Sequence, residues 1–181
     1  MAIAKKGTKK EFFEVASSIT ASKLHVYGSD MDEAVGKTIL LDMTRSLRGK
    51  SFEVTLRVEK EGDHLIGNPF KMMLAGSFVR RTMRKGTDYV EDSFIAESKD
   101  GKVVIKPFMI SRNRISRSVR AALRSGAREF LEGYARIRTV QEMFSDIMTN
   151  KLQKEMAVKL KKVYPLAFCE IRALEAVNEE D

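Results

Sequence analysis

The stretch Phe52-Glu53-Val54-Thr55-Leu56-Arg57-Val58 alternates apolar and polar side chains with a period of two, the pattern of a strand with one face buried and the other wet. Outward from it, similar runs at Leu65–Leu74, Val90–Glu97 and Val103–Ile110 predict further strands, and Phe12, Phe13 and Val15 open an earlier one. Lys99-Asp100-Gly101-Lys102 carries an Asp-Gly pair, a strong hairpin signal between the last two runs. Asp30–Val35 reads as a short helical turn capped by Asp30 and closed by Gly36, and Ser77–Arg84 as a short helix capped by Ser77 and ended by Gly86. The ten methionines are scattered and read as core filler.

Beyond residue 111 the period changes to that of helices: an arginine-rich helix, a second over Val140–Asn150 and a third over Lys151–Val163. Tyr164-Pro165 ends the run, because proline disfavours helix in the residue before it, and Leu166–Val177 reads as a final strand. The reading is α+β. A basic flexible tail covers 1–10, a single domain 11–178 (β-rich over 11–110, helical over 111–163, a final strand over 166–177), and an acidic frayed end 179–181.

The net charge of +8 is unevenly spread: +4 over residues 1–10, 0 over 11–110, +6 over 111–138 and −2 over 139–181. In the +6 segment Arg114, Arg117, Arg120, Arg124 and Arg128 fall within a helical arc of about 120°. Ile115, Val119, Leu123, Ala127, Phe130 and Tyr134 are expected to form the opposite, inward face. A merely solvated face usually mixes Lys with Glu at i, i+4 spacing. Here Glu129 and Glu132 come only at the end, and arginine's planar fork of donors matches phosphate oxygens. A row of like charges is best tolerated when a polyanion neutralises it, so the stripe points to RNA phosphates, and the tail lysines Lys5, Lys6, Lys9 and Lys10 point the same way.

Other chemistries find little support. No run reaches the roughly 18–20 apolar residues of a membrane span, and the start lacks the apolar stretch of a signal peptide, so an intracellular protein that does not act at membranes is expected. The lone Cys169 has apolar neighbours and reads as a buried thiol. His25 and His64 lack sequence-adjacent partners and read as structural. Gly36-Lys37-Thr38 imitates the end of a phosphate-binding loop, but Met31 stands where that motif needs glycine. Asp88, Glu91 and Asp92 read as solvated loop charge; a strand would place Asp88 and Asp92 on one face and Glu91 on the other. No catalytic residue, metal site or cofactor is expected.

The order of motifs resembles the archaeal and eukaryotic small-subunit ribosomal protein family called S-one-e or S-three-A-e. The resemblance runs through Lys10-Glu11-Phe12-Phe13-Glu14-Val15, Arg48-Gly49 leading into Phe52–Leu56, Val79-Arg80 with Arg84-Lys85-Gly86-Thr87, and Ser98-Lys99-Asp100-Gly101. It continues through Val119-Arg120, Val163-Tyr164-Pro165-Leu166 and Glu170-Ile171-Arg172. The resemblance implies a non-catalytic, cytoplasmic component of the small ribosomal subunit. Its centre would be a mostly antiparallel, β-barrel-like sheet flanked by the C-terminal-half helices and a final strand. The protein would sit on the platform near the messenger exit, touching ribosomal RNA and neighbouring small-subunit proteins, with messenger RNA within reach. Its RNA-binding residues would be Lys5, Lys6, Lys9, Lys10, Arg48, Arg80, Arg81, Arg84, Lys85, Arg112, Arg114, Arg117, Arg120, Arg124 and Arg128, fixing position through phosphates without reading sequence. The competing expectation is a free-standing, non-catalytic RNA-binding or chaperone protein that uses the same stripe.

Overall fold

The computed structural model describes residues 10–20, 23–47 and 49–177. Among them the chain forms nine strands: β1 (Glu11–Ser17), β2 (Lys23–Gly28), β3 (Thr38–Asp42), β4 (Phe52–Glu61), β5 (His64–Leu74), β6 (Tyr89–Glu91), β7 (Phe94–Glu97), β8 (Lys102–Ser111) and β9 (Leu166–Val177). Five helices accompany them: α1 (Met31–Ala34), α2 (Gly76–Thr82), α3 (Arg117–Ala135), α4 (Val140–Met148) and α5 (Lys151–Leu160). The class is α+β as expected, with helices mostly in the C-terminal half and a closing strand. Hydrogen-bonded neighbours follow the open path β2-β1-β5-β9-β8-β6, with β3 joined to β4, β4 to β5 and β7 to β8. Pairing is antiparallel between β1 and β2, β5 and β9, and along β6, β7, β8 and β9, and parallel between β1 and β5.

The described residues fall into two compact units, one within Met1–Leu41 and Thr55–Phe70, the other within Asp42–Val54 and Lys71–Asp181. In the first, alternation along β1 and β2 turns Val15 and Val26 inward. There they meet Ala34, Val58 and Leu65, with Phe13, Leu24 and Ile39 packed alongside. Gly67 belongs to this packing: a Cβ on it would lie 3.1 Å from Leu56 Cδ1 and 3.6 Å from Val15 Cγ1. A Gly67→Val substitution is therefore expected to destabilise the chain by about 1–3 kcal/mol through overpacking, read as a lower urea midpoint. An unchanged midpoint would show that Leu56 moves aside freely.

In the second unit β8 and β9 run together from Lys102↔Val177 to Ser111↔Leu166. Pro107 donates nothing to a ladder, and the register shifts between Lys106 and Pro107. The shift leaves Arg172 as an extra residue on β9, exposed between buried Ile171 and Ala173. α3 packs on β6, β7 and α5, while α4 and α5 pack on β9. Leu123, Ala127, Leu131, Phe144, Ile147, Leu152 and Met156 are buried in this layer. Thr139 and Glu142 start α4 with a reciprocal capping box.

Several boundaries differ from the expectation. The run at 90–97 is two strands, broken where Asp92 Oδ1 accepts the Ser93 amide hydrogen at 2.9 Å. α2 begins at Gly76, so Ser77 lies inside the first turn; Ala75 occupies the cap with no side-chain bond. α1 likewise has no side-chain bond from Asp30; Glu33 instead accepts the Ser29 amide hydrogen at 2.7 Å. β2 and β3 had no counterpart in the sequence reading.

Candidate nucleic-acid interface

Ser116 caps α3 by accepting the Val119 amide hydrogen at 3.4 Å. Because the helix starts at Arg117, Arg112 and Arg114 precede it on exposed chain and do not belong to a helical stripe. Along α3 the buried positions are Leu123, Ala127, Leu131 and Ala135. Steps of four advance slightly more than one turn, so this seam drifts around the helix and runs beside the arginines instead of opposite them. Val119, Phe130 and Tyr134, expected on the inner face, are only half-buried.

The displaced seam gives the arginines two different fates. Arg120 lies 3.2 Å from Asp88 Oδ2, and Arg128 lies 3.0 Å from Asp92 Oδ2 while its guanidinium sits 5.2 Å from the Phe94 ring centre. Arg117 and Arg124 are exposed and have no carboxylate partner among the described residues. Arg124 lines a cleft of about 310 Å³ with Asp88, Tyr89, Glu91 and Arg120. Asp88, Glu91 and Asp92 are thus not free loop charge, because Glu91 accepts from Arg172 at 2.6 Å. The two-sided placement foreseen for them does hold: Asp88 and Asp92 reach toward α3, and Glu91 toward β9. The pairs to Asp88 and Asp92 orient α3 on the strands beside it.

Asp88 is the organiser of this corner. Its backbone exchanges hydrogen bonds with Ser111, and its Oδ2 accepts the Ile115 amide hydrogen at 2.9 Å just ahead of α3. That amide, followed by the positive charge of Arg120 and Arg114, holds its carboxyl below the ordinary 3.8. A lowered folded value means the anchor is fully present above pH 3.8 and is lost as pH falls from there through the folded value. The Ile115 amide's protection, its exchange measured against the intrinsic rate at each pH, should accordingly be high at neutral pH and fall only in acid, and Asp88→Asn should reproduce the acid behaviour at neutral pH. Slow exchange in that variant would show that the carboxylate is dispensable.

The second basic group is less engaged. Val79 buries one side of α2 while Arg80 and Arg81 stand exposed, Arg81 lying 5.8 Å from the Phe78 ring centre. Arg84 and Lys85 occupy the exposed turn closed by Gly86 at φ +85°. Lys10 is exposed at the start of β1; Lys5, Lys6, Lys9 and Arg48 lie outside the described residues. One basic surface escaped the sequence reading. Lys151, Lys154, Lys159, Lys161 and Lys162, on and just after α5, are all exposed. Averaging charge over residues 139–181 hid them, although Glu155 is the only acid between the first and the last.

A cleft of about 640 Å³ is lined by Lys50, Asn150, Gln153, Phe168, Cys169 and Glu170 among others. Lys50 donates to both Asn150 and Glu170 there. Burial pushes the Cys169 thiol up to about 12, which leaves it protonated and a poor nucleophile near neutral pH. No group of three or more His, Cys, Asp or Glu is placed to hold a metal, and no helix is long and apolar enough to cross a membrane, among the described residues.

The Ribosomal S3Ae family matches residues 4–180, nearly the whole chain. The chain belongs to that family. Proteins named small ribosomal subunit protein eS1 are similar to it along most of their length. The one from Nanoarchaeum equitans is 23% identical over 150 residues, 78% of this chain and 74% of the relative. That from Methanothermobacter thermautotrophicus is 29% identical over 133 residues, 70% and 68% of the two chains. That from Saccharolobus islandicus is 27% identical over 188 residues, 93% and 88%. The S3Ae match spans every strand and helix described above, and all the candidate cations from Lys5 to Arg128.

Proposed function

We propose that this S3Ae-family protein is a structural, non-catalytic constituent of the small ribosomal subunit, positioned on ribosomal RNA by phosphate contacts. The observation that carries the reading is the division of α3's arginines. Arg120 and Arg128 brace the helix from within, which leaves Arg117 and Arg124 without a carboxylate beside them and open to a polyanion. Arg80, Arg81, Arg84 and Lys85 supply a second set, and Lys10, Arg112, Arg114 and the lysines of α5 extend it. The tail and Arg48 join through their charge in the sequence. Residues 11–178 serve as one ribosomal-protein domain. Its place is the subunit platform near the messenger exit, in the cytoplasm, beside neighbouring subunit proteins and within reach of messenger RNA.

The test is sedimentation of the tagged chain in cell extract through gradients of rising salt. Co-migration with small subunits that survives moderate salt is expected, because many phosphate contacts and protein neighbours act together. Recovery only in free fractions would overturn the assignment.

A further inference from the structure

Register pairs Phe12 with Tyr27, Glu14 with His25 and Ala16 with Lys23, and period-two alternation puts all six on one face of β1–β2. All six are exposed, while the other face holds Val15 and Val26 in the core. Phe12 is 73% exposed and Tyr27 51%, with ring centres 5.0 Å apart. The Lys10 ammonium lies 5.9 Å from the Tyr27 ring centre, and Lys23 neutralises Glu14 at 2.7 Å.

We infer that this face is a stacking platform for unpaired RNA bases. The inference rests on the RNA-binding reading and deepens it by naming single-stranded RNA as the ligand of a second surface. A cross-strand aromatic pair can serve the sheet alone, but a Phe left mostly in water gains little from its partner. What the pair does offer is two flat π-faces, on which any base can stack, beside a cation suited to the adjoining phosphate. The Tyr27 hydroxyl adds a donor and acceptor for a base edge or a ribose 2′-hydroxyl. The surroundings favour RNA over a protein neighbour. The rings are rimmed by Lys10, Glu14, Lys23 and His25, with Ala16 the one aliphatic residue among the described pairs of that face, and two rings fall far short of the roughly 800 Å² per partner of a stable protein interface.

The chain contains no tryptophan, so Phe12→Trp would place a single tryptophan on the platform, excited selectively at a wavelength that tyrosine does not absorb. In the full-length variant, oligoadenylate is expected to quench this tryptophan by more than half, saturably. Inorganic polyphosphate, which offers charge without bases, should leave it nearly unchanged. In parallel, Phe12→Leu with Tyr27→Leu keeps apolar strand residues but removes the π-faces. It should weaken binding of labelled oligoadenylate about tenfold or more, with duplex RNA affinity held within about twofold. If labelled RNA binds by anisotropy while the tryptophan stays unquenched, or if polyphosphate quenches it equally, the platform is refuted and the phosphate reading stands. That first result is also what a face reserved for a protein neighbour would give. If RNA fails to bind at all, both readings fall.

Discussion

Replacing Arg80, Arg81, Arg84, Lys85, Arg117 and Arg124 together by glutamine is expected to reduce the slope of log affinity against log salt for RNA by about four to five units. Each of the six is exposed and lacks a carboxylate partner among the described residues, so each is available to release one condensed counterion when it meets a phosphate. Six contacts account for about a thousandfold loss of affinity between roughly 50 and 200 mM salt, and most of that loss should disappear from the variant. Glutamine retains hydrogen-bonding capacity and removes only charge, so the fold should persist. The contrast lies in the other two arginines of α3. Arg120→Gln with Arg128→Gln should change the slope by less than about one unit, because those guanidiniums are already neutralised by Asp88 and Asp92. Their loss should appear as faster amide exchange at the start of α3. Equal slopes for the two variants would show that the division of the helix into bracing and free arginines has no bearing on RNA.

That division was not legible in the sequence, and the reason is geometric. Spacing of three and four residues showed that the arginines share a face, but not what stands opposite that face. Asp88 and Asp92 are about thirty residues away along the chain, and they come within reach only because β6 and β7 pack against α3. The buried seam was legible as far as Leu123 and Ala127; from there it keeps its steps of four to Leu131 and Ala135 and drifts toward the arginines, whereas the expected face took a step of three to Phe130 and on to Tyr134 to stay opposite them. Long alternating or terminated elements were the easiest to read. β4 announces itself by period two, and β9 begins right after Pro165 and ends at Val177 as its pattern does. β3, Thr38–Asp42, carries three successive apolar residues without alternation, and β2 mixes Lys23, His25 and Tyr27 on its wet side, so neither stood out. The aromatic pair was hidden for a related reason. Phe12 signalled a strand, but only the register of β1 on β2 shows that it faces water beside Tyr27.

The largest single-site loss of stability is expected away from the basic surface, at Lys50→Met. Lys50 emerges from a tight turn in which Gly49 takes φ +85°, and its ammonium donates to Asn150 at 2.6 Å and to Glu170. Three separate parts of the second unit meet there: the turn before β4, the corner between α4 and α5 where Asn150 holds φ +59°, and the middle of β9. The Glu170 side chain is only 7% exposed, and its Oε2 has no partner among the described residues, so Lys50 is its principal compensation. A buried carboxylate deprived of its cation costs far more than an ion pair between exposed groups yields, because the desolvation remains while the attraction is gone. With Lys50 itself 27% exposed, the expected loss is about 2–4 kcal/mol in the free energy of unfolding by urea. The companion variant separates charge from packing: adding Glu170→Leu to Lys50→Met removes the stranded carboxylate and should recover most of the loss, whereas a defect due to shape alone would deepen. A Lys50→Met chain as stable as the wild type would mean that water reaches Glu170 and that the corner is held by its apolar neighbours.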